Sequence, residues 1–343
     1  MKSEPFVSIV IPTYNGGALI EETLSSCLKI RGIPLEIIVV DDGSTDGTPE
    51  YLFQRFPSIR LHRLIGNSGS GSAGRNAGLA LANGRYIKFL DHDDLIQPRG
   101  FKAECQEAMR TNADIVMSRW GVVSIDQQGR FLTGTQRVLT PPDPERLPEA
   151  ILQGESMPYT AAALYKRSFV ADERWDASVS IIDDYDWFCR LALKGGQTIR
   201  TDALSYFWRL HPNSIQGRSH GEETIYQRLT FARCRVYEKI EQHLTSLGQL
   251  SLSRRQLLVR RYYDCLRCYC PNDRQLLARM QRLDPTFVVD ATCESDPRAL
   301  WLIHRIGLPS FLVLYGLSRR FGGAVKGLRR RLPSTRLEPS GGL

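Results

Sequence analysis

Short apolar runs alternate with segments of helical spacing along roughly the first third of the chain. The predicted strands cover 6–11, 35–40, 59–65 and 85–90, and the predicted helices cover 18–30, 46–56 and 72–83. Because these elements alternate with short connections, they predict a parallel sheet with right-handed crossovers. A helix near 99–110 and a strand near 114–118 continue the alternation.

The pattern changes after this alternation. It predicts a hairpin over 119–140, a proline-rich linker at 141–148, a helix at 183–194 and a strand at 203–210. The sequence beyond 216 is almost entirely helical and basic. We therefore expect an α/β fold, with a Rossmann-like, mostly parallel sheet flanked by helices in 1–215 and a helical C-terminal region in 216–343.

Two clusters of carboxylates each follow an apolar strand. Asp41 and Asp42 follow the run IIVV, and Asp91, Asp93 and Asp94 follow the run YIKFL. Open α/β sheets bind their ligands at the carboxyl ends of such strands. The three acids of the second cluster repel one another, and a divalent cation relieves that repulsion. Oxygen ligands suit Mg²⁺ or Mn²⁺, and such a cation in turn suits a phosphate-bearing substrate.

The net charge of +8 and the pI near 9.1 indicate an anionic partner, which is a nucleotide, a nucleic acid or a membrane surface. The N-terminal residues do not resemble a signal peptide. No apolar run reaches the roughly 18 residues of a spanning helix. These features predict a cytoplasmic protein.

The eight cysteines have no repeated spacing. Cys265, Cys268 and Cys270 come close to a metal-binding pattern, but no second cluster accompanies them, which disfavours a zinc site. Free thiols in a reducing compartment are the simplest interpretation.

The first strand ends at Pro12 and is followed by Thr13 and Tyr14 at the predicted sheet edge. The ring of Tyr14 stacks on a planar base in one interpretation and packs on its own loop in the other. Asp42 can accept hydrogen bonds from a base or a ribose hydroxyl. Helix capping is the alternative for Asp42, but Asp46 is placed to cap the following helix.

The segment GSGSAG, starting at Gly69, formally matches the dinucleotide-binding pattern. We reject that interpretation because the preceding strand carries His62 and Arg63 and because three acids stand where one is expected. A flexible loop leading to Arg75 fits better, and its guanidinium could reach a phosphate. The alternative for Arg75 is a surface salt bridge.

Asp183, Asp184 and Asp186 begin a predicted helix, and capping or the helix dipole accounts for only one of them. A base that accepts a proton from an acceptor hydroxyl is the functional interpretation. His211 follows the last strand and is either a metal or phosphate ligand or an ordinary loop histidine.

Together these segments resemble the inverting family 2 glycosyltransferases, which have the nucleotide-binding α/β fold of type A. The resemblance covers roughly 5–215 and rests on VSIVIPTYNGG, EIIVVDDGSTDGT, AGRNAGL with GRYIKFLDHDD, and IDDYDWFCRL with RLHPNS, in that order. It implies a nucleotide-diphospho-sugar donor, with a UDP-sugar favoured, and Mn²⁺ or Mg²⁺ as the cofactor. It also implies a hexosyl- or N-acetylhexosaminyl-transferase that acts on a saccharide or a lipid-linked acceptor.

The resemblance also implies roles for individual residues. The nucleoside contacts fall on Pro12, Thr13, Tyr14 and Asp42; the acid motif on Asp91 and Asp93, with Asp93 the direct metal ligand; the base on Asp184; and the late histidine on His211. The family often has Glu-Asp where this chain has Asp183-Asp184, so which acid is the base stays open. The QxxRW signature of processive synthases is not visible, which favours single addition over polymerisation.

Three other classes of protein compete with this interpretation. A sugar-nucleotide pyrophosphorylase needs a glycine-rich, lysine-bearing loop after the first strand, where this chain has IPTYN. A nucleic-acid-binding protein needs basic residues where this chain has acids. A non-catalytic nucleotide-binding module remains open. At the C-terminus, apolar residues beside arginines between 299 and 331 suit either attachment to an anionic membrane surface or packing on the catalytic domain.

Overall fold

The computed structural model describes most of the 343-residue chain. The described residues are 5–126, 128–132, 136–155, 157–158, 160–179, 181–212, 214, 223–268, 273–289, 296–308 and 311. The chain divides into two compact units, Met1–Leu250 and Ser251–Leu343.

The first unit contains nine strands and eight helices among its described residues. The strands are β1 Val7–Thr13, β2 Leu35–Asp41, β3 Arg60–Arg63, β4 Tyr86–Phe89, β5 Leu95–Ile96, β6 Ile115–Ser124, β7 Arg137–Leu139, β8 Ala163–Lys166 and β9 Thr198–Leu210. The helices are α1 Gly17–Cys27, α2 Thr48–Arg55, α3 Gly71–Leu81, α4 Pro98–Thr111, α5 Leu147–Gln153, α6 Arg167–Val170, α7 Asp183–Lys194 and α8 Glu223–Ser246.

All nine strands form one mixed sheet. Its order is β3-β2-β1-β4-β8-β6-β9-β5, with β7 paired to β6. The pairs β2/β3, β1/β2, β1/β4 and β6/β9 are parallel, whereas β8 pairs antiparallel with both β4 and β6. The predicted α/β fold is confirmed, and the first half of the sheet is parallel as predicted.

The alternation of side chains along the buried strand β1 explains why helices cover both faces of the sheet. Ile9 belongs to the core cluster that also contains Leu24 of α1 and Phe101 of α4. Val10 points to the other face, where a Cβ on Gly78 of α3 would lie 2.2 Å from its Cγ1. Only glycine at position 78 therefore allows α3 to approach β1 so closely.

Several elements in the second half of the sheet differ from those that the sequence predicts. The predicted linker at 141–148 contains a 3₁₀ turn, Pro144–Arg146, and the start of α5. The strands β5 and β8 were also not predicted, because they have only two and four residues. The predicted hairpin is confirmed by the antiparallel pairing of β6 with β7.

The second unit is helical in its described part. It contains α9 Leu252–Cys268, α10 Arg274–Leu283 and α11 Pro297–Ile306. Tyr262, Leu266 and Met280 are buried there. Among the described helices, none is both long and apolar enough to cross a membrane. Cys265 is a buried free thiol, and the other two cysteines of the near-metal pattern lie where no side chain is described.

Candidate active site

The loop between β4 and β5 holds three carboxylates close together. Asp91, Asp93 and Asp94 follow β4, and their oxygens lie within 4.8 Å of one another. Asp94 is buried, and the other two acids are partly exposed. Because β4 runs parallel to β1 and β2, the loop lies at the same carboxyl edge of the sheet as the ends of those strands.

The pKa values in this loop reflect the crowded negative charge. Burial, and then the charges of Asp93 and Asp91, raise the pKa of Asp94 well above its usual value. Burial also opposes ionisation of Asp93, but the hydrogen bond with His211 and the nearby His92 bring its pKa below the usual value. Several carboxylate oxygens in so small a volume fit a hard divalent cation such as Mg²⁺ or Mn²⁺.

Strand β9 brings two further groups to the acid loop. His211 follows the strand, and its Nε2 lies 3.0 Å from Oδ2 of Asp93, so the two predicted metal ligands meet. Arg209 is buried; its backbone N–H donates to Asp94 at 2.9 Å and its Nε donates to the carbonyl of Asp93. The sequence analysis missed Arg209. A charged residue closing an apolar strand, two positions before His211, was the available signal.

Arg75 on α3 connects the acid loop to the start of α7. Its Nη2 lies 2.5 Å from Asp91 and its Nη1 lies 2.7 Å from Asp183, which also accepts a hydrogen bond from Ser72 at 2.7 Å. The guanidinium lies 4.6 Å from the ring centroid of Trp175. Arg75 is buried between these groups. The expected contact of Arg75 with a phosphate stays a prediction.

Asn76, the residue after Arg75, fixes Trp175 in place. Its side-chain amide donates to the carbonyl of Trp175 at 3.0 Å and accepts from the N–H of Trp175 at 2.8 Å. The Trp175 ring in turn stacks on Trp187 of α7, with centroids 4.6 Å apart. The sequence analysis missed this contact, because nothing local in the sequence relates Asn76 to a residue 99 positions away.

The two neighbouring acids at the start of α7 have different surroundings. Asp183 is buried and bound to Arg75 and Ser72. Asp184 is partly buried, and its carboxylate accepts a hydrogen bond from the N–H of Tyr185 at 2.8 Å. Burial and then the charge of Asp183 raise the pKa of Asp184 to about 7. A carboxylate with a pKa near neutrality is suited to accept a proton at neutral pH.

The carboxyl ends of β1 and β2 lie at the same edge of the sheet as the acid loop. Thr13 pairs with Asp41 in the parallel register, and Pro12 pairs with Val40. The hydroxyl of Thr13 and one carboxylate oxygen of Asp41 are buried without a hydrogen-bond partner among the described residues. Tyr14, the next residue, is 41% exposed. An exposed aromatic ring at a strand end is suited to stack on a planar ligand.

Asp42 faces a cavity of about 530 Å³, which is also lined by the end of β3 and by the loop 64–68. Its carboxylate accepts hydrogen bonds from the N–H of Ser68, at 3.0 and 3.1 Å, and from the Ser68 hydroxyl at 2.7 Å. Gly43 has φ +77°, and a Cβ there would lie 2.7 Å from the backbone of Gly66. The tight turn at Gly43 therefore allows the loop 64–68 to lie against Asp42. The sequence analysis missed Ser68.

Residues 8–173 match the family model described as "Glycosyl transferase family 2". A curated relative, "Succinoglycan biosynthesis protein ExoO" of Rhizobium meliloti (strain 1021), is 30% identical over 224 residues. This match covers 62% of the chain and 62% of the relative. The chain thus spans less than two thirds of that relative's length.

Two solved structures share the fold. The crystal structure of S. aureus TarS 1–349 in complex with UDP-GlcNAc has a TM-score of 0.53 and 17% identity, covering 92% of each chain. The mannosyltransferase PcManGT from Pyrobaculum calidifontis, in complex with GDP-Man and Mn²⁺, has a TM-score of 0.51 and 16% identity, covering 93% of this chain and 88% of that one.

Proposed function

We propose that this chain, whose residues 8–173 belong to glycosyl transferase family 2, transfers a sugar from a nucleotide-diphospho-sugar to a hydroxyl acceptor with inversion. The observation that carries the proposal is the meeting of three chain segments at one sheet edge. Asp93 contacts His211, and Arg75 joins Asp91 to Asp183, next to Asp184. This arrangement supports a cation site near Asp184, whose carboxyl pKa is raised to about 7.

The donor nucleoside binds at the ends of β1 and β2 in this proposal. Asp42 and the backbone of Pro12 and Thr13 hold the edge of the base, and the exposed ring of Tyr14 stacks on it. A UDP-sugar is the favoured donor, and the UDP-GlcNAc complex of a protein with the same fold supports this choice.

The donor diphosphate lies at the acid loop, where Asp93, with Asp91 and His211 beside it, would hold Mn²⁺ or Mg²⁺. The cation supplies charge neutralisation for the leaving diphosphate. Arg209 holds the loop in position through the backbone of Asp93 and the carboxylate of Asp94. The fold neighbour with GDP-Man and Mn²⁺ supports a metal-dependent reaction.

Asp184 takes the proton from the attacking acceptor hydroxyl. It acts on the face of the sugar opposite the diphosphate, so the anomeric configuration is inverted. Asp183 is already bound to Arg75 and Ser72, which favours Asp184 as the base. The acceptor is a saccharide or lipid-linked saccharide of polysaccharide, cell-envelope or glycolipid synthesis, and the relative named for succinoglycan biosynthesis supports this class.

Incubation of the purified protein with a panel of UDP-, GDP- and dTDP-sugars, with Mn²⁺, Mg²⁺ or EDTA, tests the proposal. We expect metal-dependent release of the nucleoside diphosphate from one donor, with a UDP-sugar preferred. Formation of UTP and a sugar 1-phosphate when pyrophosphate is added would indicate a pyrophosphorylase instead. Tight binding of a nucleotide sugar without turnover, in the presence of a broad acceptor mixture, would indicate a non-catalytic module.

We also propose peripheral attachment of the C-terminal region to an anionic, cytoplasmic membrane face. Trp301 of α11 is 50% exposed, with the guanidinium of Arg305 5.6 Å from its ring centroid. An exposed tryptophan beside a cation suits the membrane interface. The apolar run 312–315 and the basic cluster 319–331 belong to the same hypothesis but lie outside the described residues.

Co-sedimentation with vesicles tests this attachment. We expect the full-length protein to bind vesicles that contain phosphatidylglycerol and not pure phosphatidylcholine vesicles, with binding weakened by salt. Replacing Trp301 with Ser and Arg329, Arg330 and Arg331 with Gln should remove most of the binding. Equal sedimentation of the substituted and unsubstituted proteins would contradict the hypothesis.

A further inference from the structure

One face of helix α8 forms a wall of a second cavity in the first unit. Arg228, Phe231 and Arg235 are spaced at i, i+3 and i+7, so their side chains lie on the same side of the helix. The cavity has a volume of about 350 Å³, and its opposite wall is formed by Ser178, Val179 and Ile181. These last residues belong to the segment that leads into α7.

The cavity has a positive, partly aromatic lining. Among the described residues, two arginines and no carboxylate line it. Two acids of the neighbouring segments are already paired, since Lys239 binds Asp176 at 2.5 Å and Asp186 at 2.8 Å. Arg228 and Arg235 are exposed, and no described residue forms an ion pair with either of them. Two exposed guanidiniums facing a common space are suited to bind a phosphate through paired N–H donors.

The position of the cavity relates it to the proposed base. Ile181 lines the cavity and lies three residues before Asp184. Three residues of chain span at most about 10 Å, so a residue of the cavity wall lies within about 10 Å of Asp184 along the backbone. The exposed ring of Phe231 offers an apolar surface of the kind on which a sugar ring packs.

We propose that this cavity is an acceptor subsite that binds a phosphate group of the acceptor, one or two units away from the attacked hydroxyl. The substrate class is therefore a phosphate-bearing saccharide or polyol, and not a neutral glycan. This inference rests on the proposed function, because it requires Asp184 to mark the place where the acceptor hydroxyl reacts. Two sources offer this chemistry, which are a phosphodiester within a polymer and the diphosphate of a lipid-linked saccharide.

Calorimetric titration of the full chain, saturated with UDP and Mn²⁺, tests the subsite. Saturation with UDP keeps the phosphate probes out of the donor site. The probes are an oligo(glycerol phosphate), a farnesyl-diphosphate-linked N-acetylglucosamine and, as the uncharged reference, maltotriose. We expect one phosphate probe to bind at least tenfold more tightly than maltotriose. We also expect its affinity to fall as the salt concentration rises. Which probe binds identifies the source of the phosphate.

The variants separate the subsite from general electrostatic attraction. The double variant, with both Arg228 and Arg235 replaced by Gln, should bind the phosphate probe roughly tenfold to a hundredfold more weakly. This is the range expected when charge-assisted hydrogen bonds are lost. Arg233→Gln is the matched control, because Arg233 is exposed on the same helix but does not line the cavity. It should bind the probe as the unsubstituted protein does, and all three proteins should bind UDP equally.

Two results would overturn the subsite. One is a phosphate probe that binds no more tightly than maltotriose, and the other is an equal loss of affinity in Arg233→Gln and the double variant. If the same protein binds UDP and hydrolyses the nucleotide-sugar donor normally, only the subsite proposal fails. If the unsubstituted protein binds no nucleotide sugar at all, the proposed function itself fails.

Discussion

Asp93→Ala should abolish sugar transfer and remove the metal dependence of donor binding. Asp93 lies among three carboxylates whose oxygens are within 4.8 Å of one another, and it contacts His211 at 3.0 Å. In the proposed mechanism Asp93 would hold the cation that neutralises the leaving diphosphate, and the substitution would remove a contribution of several kcal/mol to the transition state. The measurement is turnover with the preferred donor, together with donor affinity at increasing Mn²⁺ concentration.

Thermal unfolding shows whether Asp93→Ala acts through the cation. A ligand that binds only the folded state raises its stability, so Mn²⁺ with UDP should raise the Tm of the unsubstituted protein. The variant should lose the part of this increase that needs Mn²⁺ and keep the part that UDP alone provides, because Asp42 and Thr13 are unchanged. Full turnover by the variant would contradict a metal-dependent reaction, and so would activity of the unsubstituted protein that persists in excess EDTA.

The sequence predicts the parallel half of the sheet because its central strands, β1 and β2, are largely apolar runs. In β1 every residue from Val7 to Thr13 is buried, and such runs differ clearly from the helices between them. The strands β5 and β8 carry no such signal. They are two and four residues long and are held by antiparallel pairing with β9, β4 and β6, which no local pattern specifies.

The site shows the same division between local and tertiary information. The spacing of Asp91, Asp93 and Asp94 alone predicts a group of oxygen ligands, and the structure places these ligands together. The ion pairs that Arg75 makes with Asp91 and Asp183 connect residues 16 and 108 positions apart. Both ion pairs depend on how α3 lies against the loop after β4 and the start of α7, so sequence spacing could not reveal them. The sequence left open whether Arg75 makes a salt bridge or binds a phosphate, and the structure shows the ion pair.

Asp184→Asn should lower the rate of transfer by about 10²–10⁴, the usual contribution of general-base catalysis, with little change in donor affinity. The amide keeps the shape of the carboxylate but cannot accept the proton. If Asp184 only capped α7, Asn would serve as well as Asp, and the substitution would be almost silent. Single-turnover rates with a competent acceptor, measured beside the donor dissociation constant, distinguish the two roles.

The pH dependence gives an independent test of the same residue. Burial and the charge of Asp183 raise the pKa of Asp184 to about 7, and only the ionised carboxylate accepts a proton. Transfer by the unsubstituted protein should therefore rise with pH through about 7 and level off above it, whereas the residual rate of Asp184→Asn should lack this rise. A flat profile for the unsubstituted protein would contradict Asp184 as the base.

Stability and the neighbouring acid provide the controls. Because the pKa of Asp184 is raised to about 7 in the folded protein, folding favours its protonated form. The resulting contribution to the free energy of unfolding is fully present below the unfolded pKa of 3.8 and is lost as the pH rises through about 7. Because Asn stays neutral, Asp184→Asn should be more stable than the unsubstituted protein to urea at about pH 8, with the difference vanishing near pH 4. A slow variant that is more stable is not a misfolded one.

Asp183→Asn is the matched comparison. It removes a carboxylate that pairs with Arg75 at 2.7 Å and leaves the buried guanidinium paired with Asp91. If Asp183→Asn retains the rise of activity with pH and Asp184→Asn does not, Asp184 is the base. The reverse result would assign the base to Asp183 and keep the mechanism, and transfer at the unsubstituted rate by both variants would place the base elsewhere.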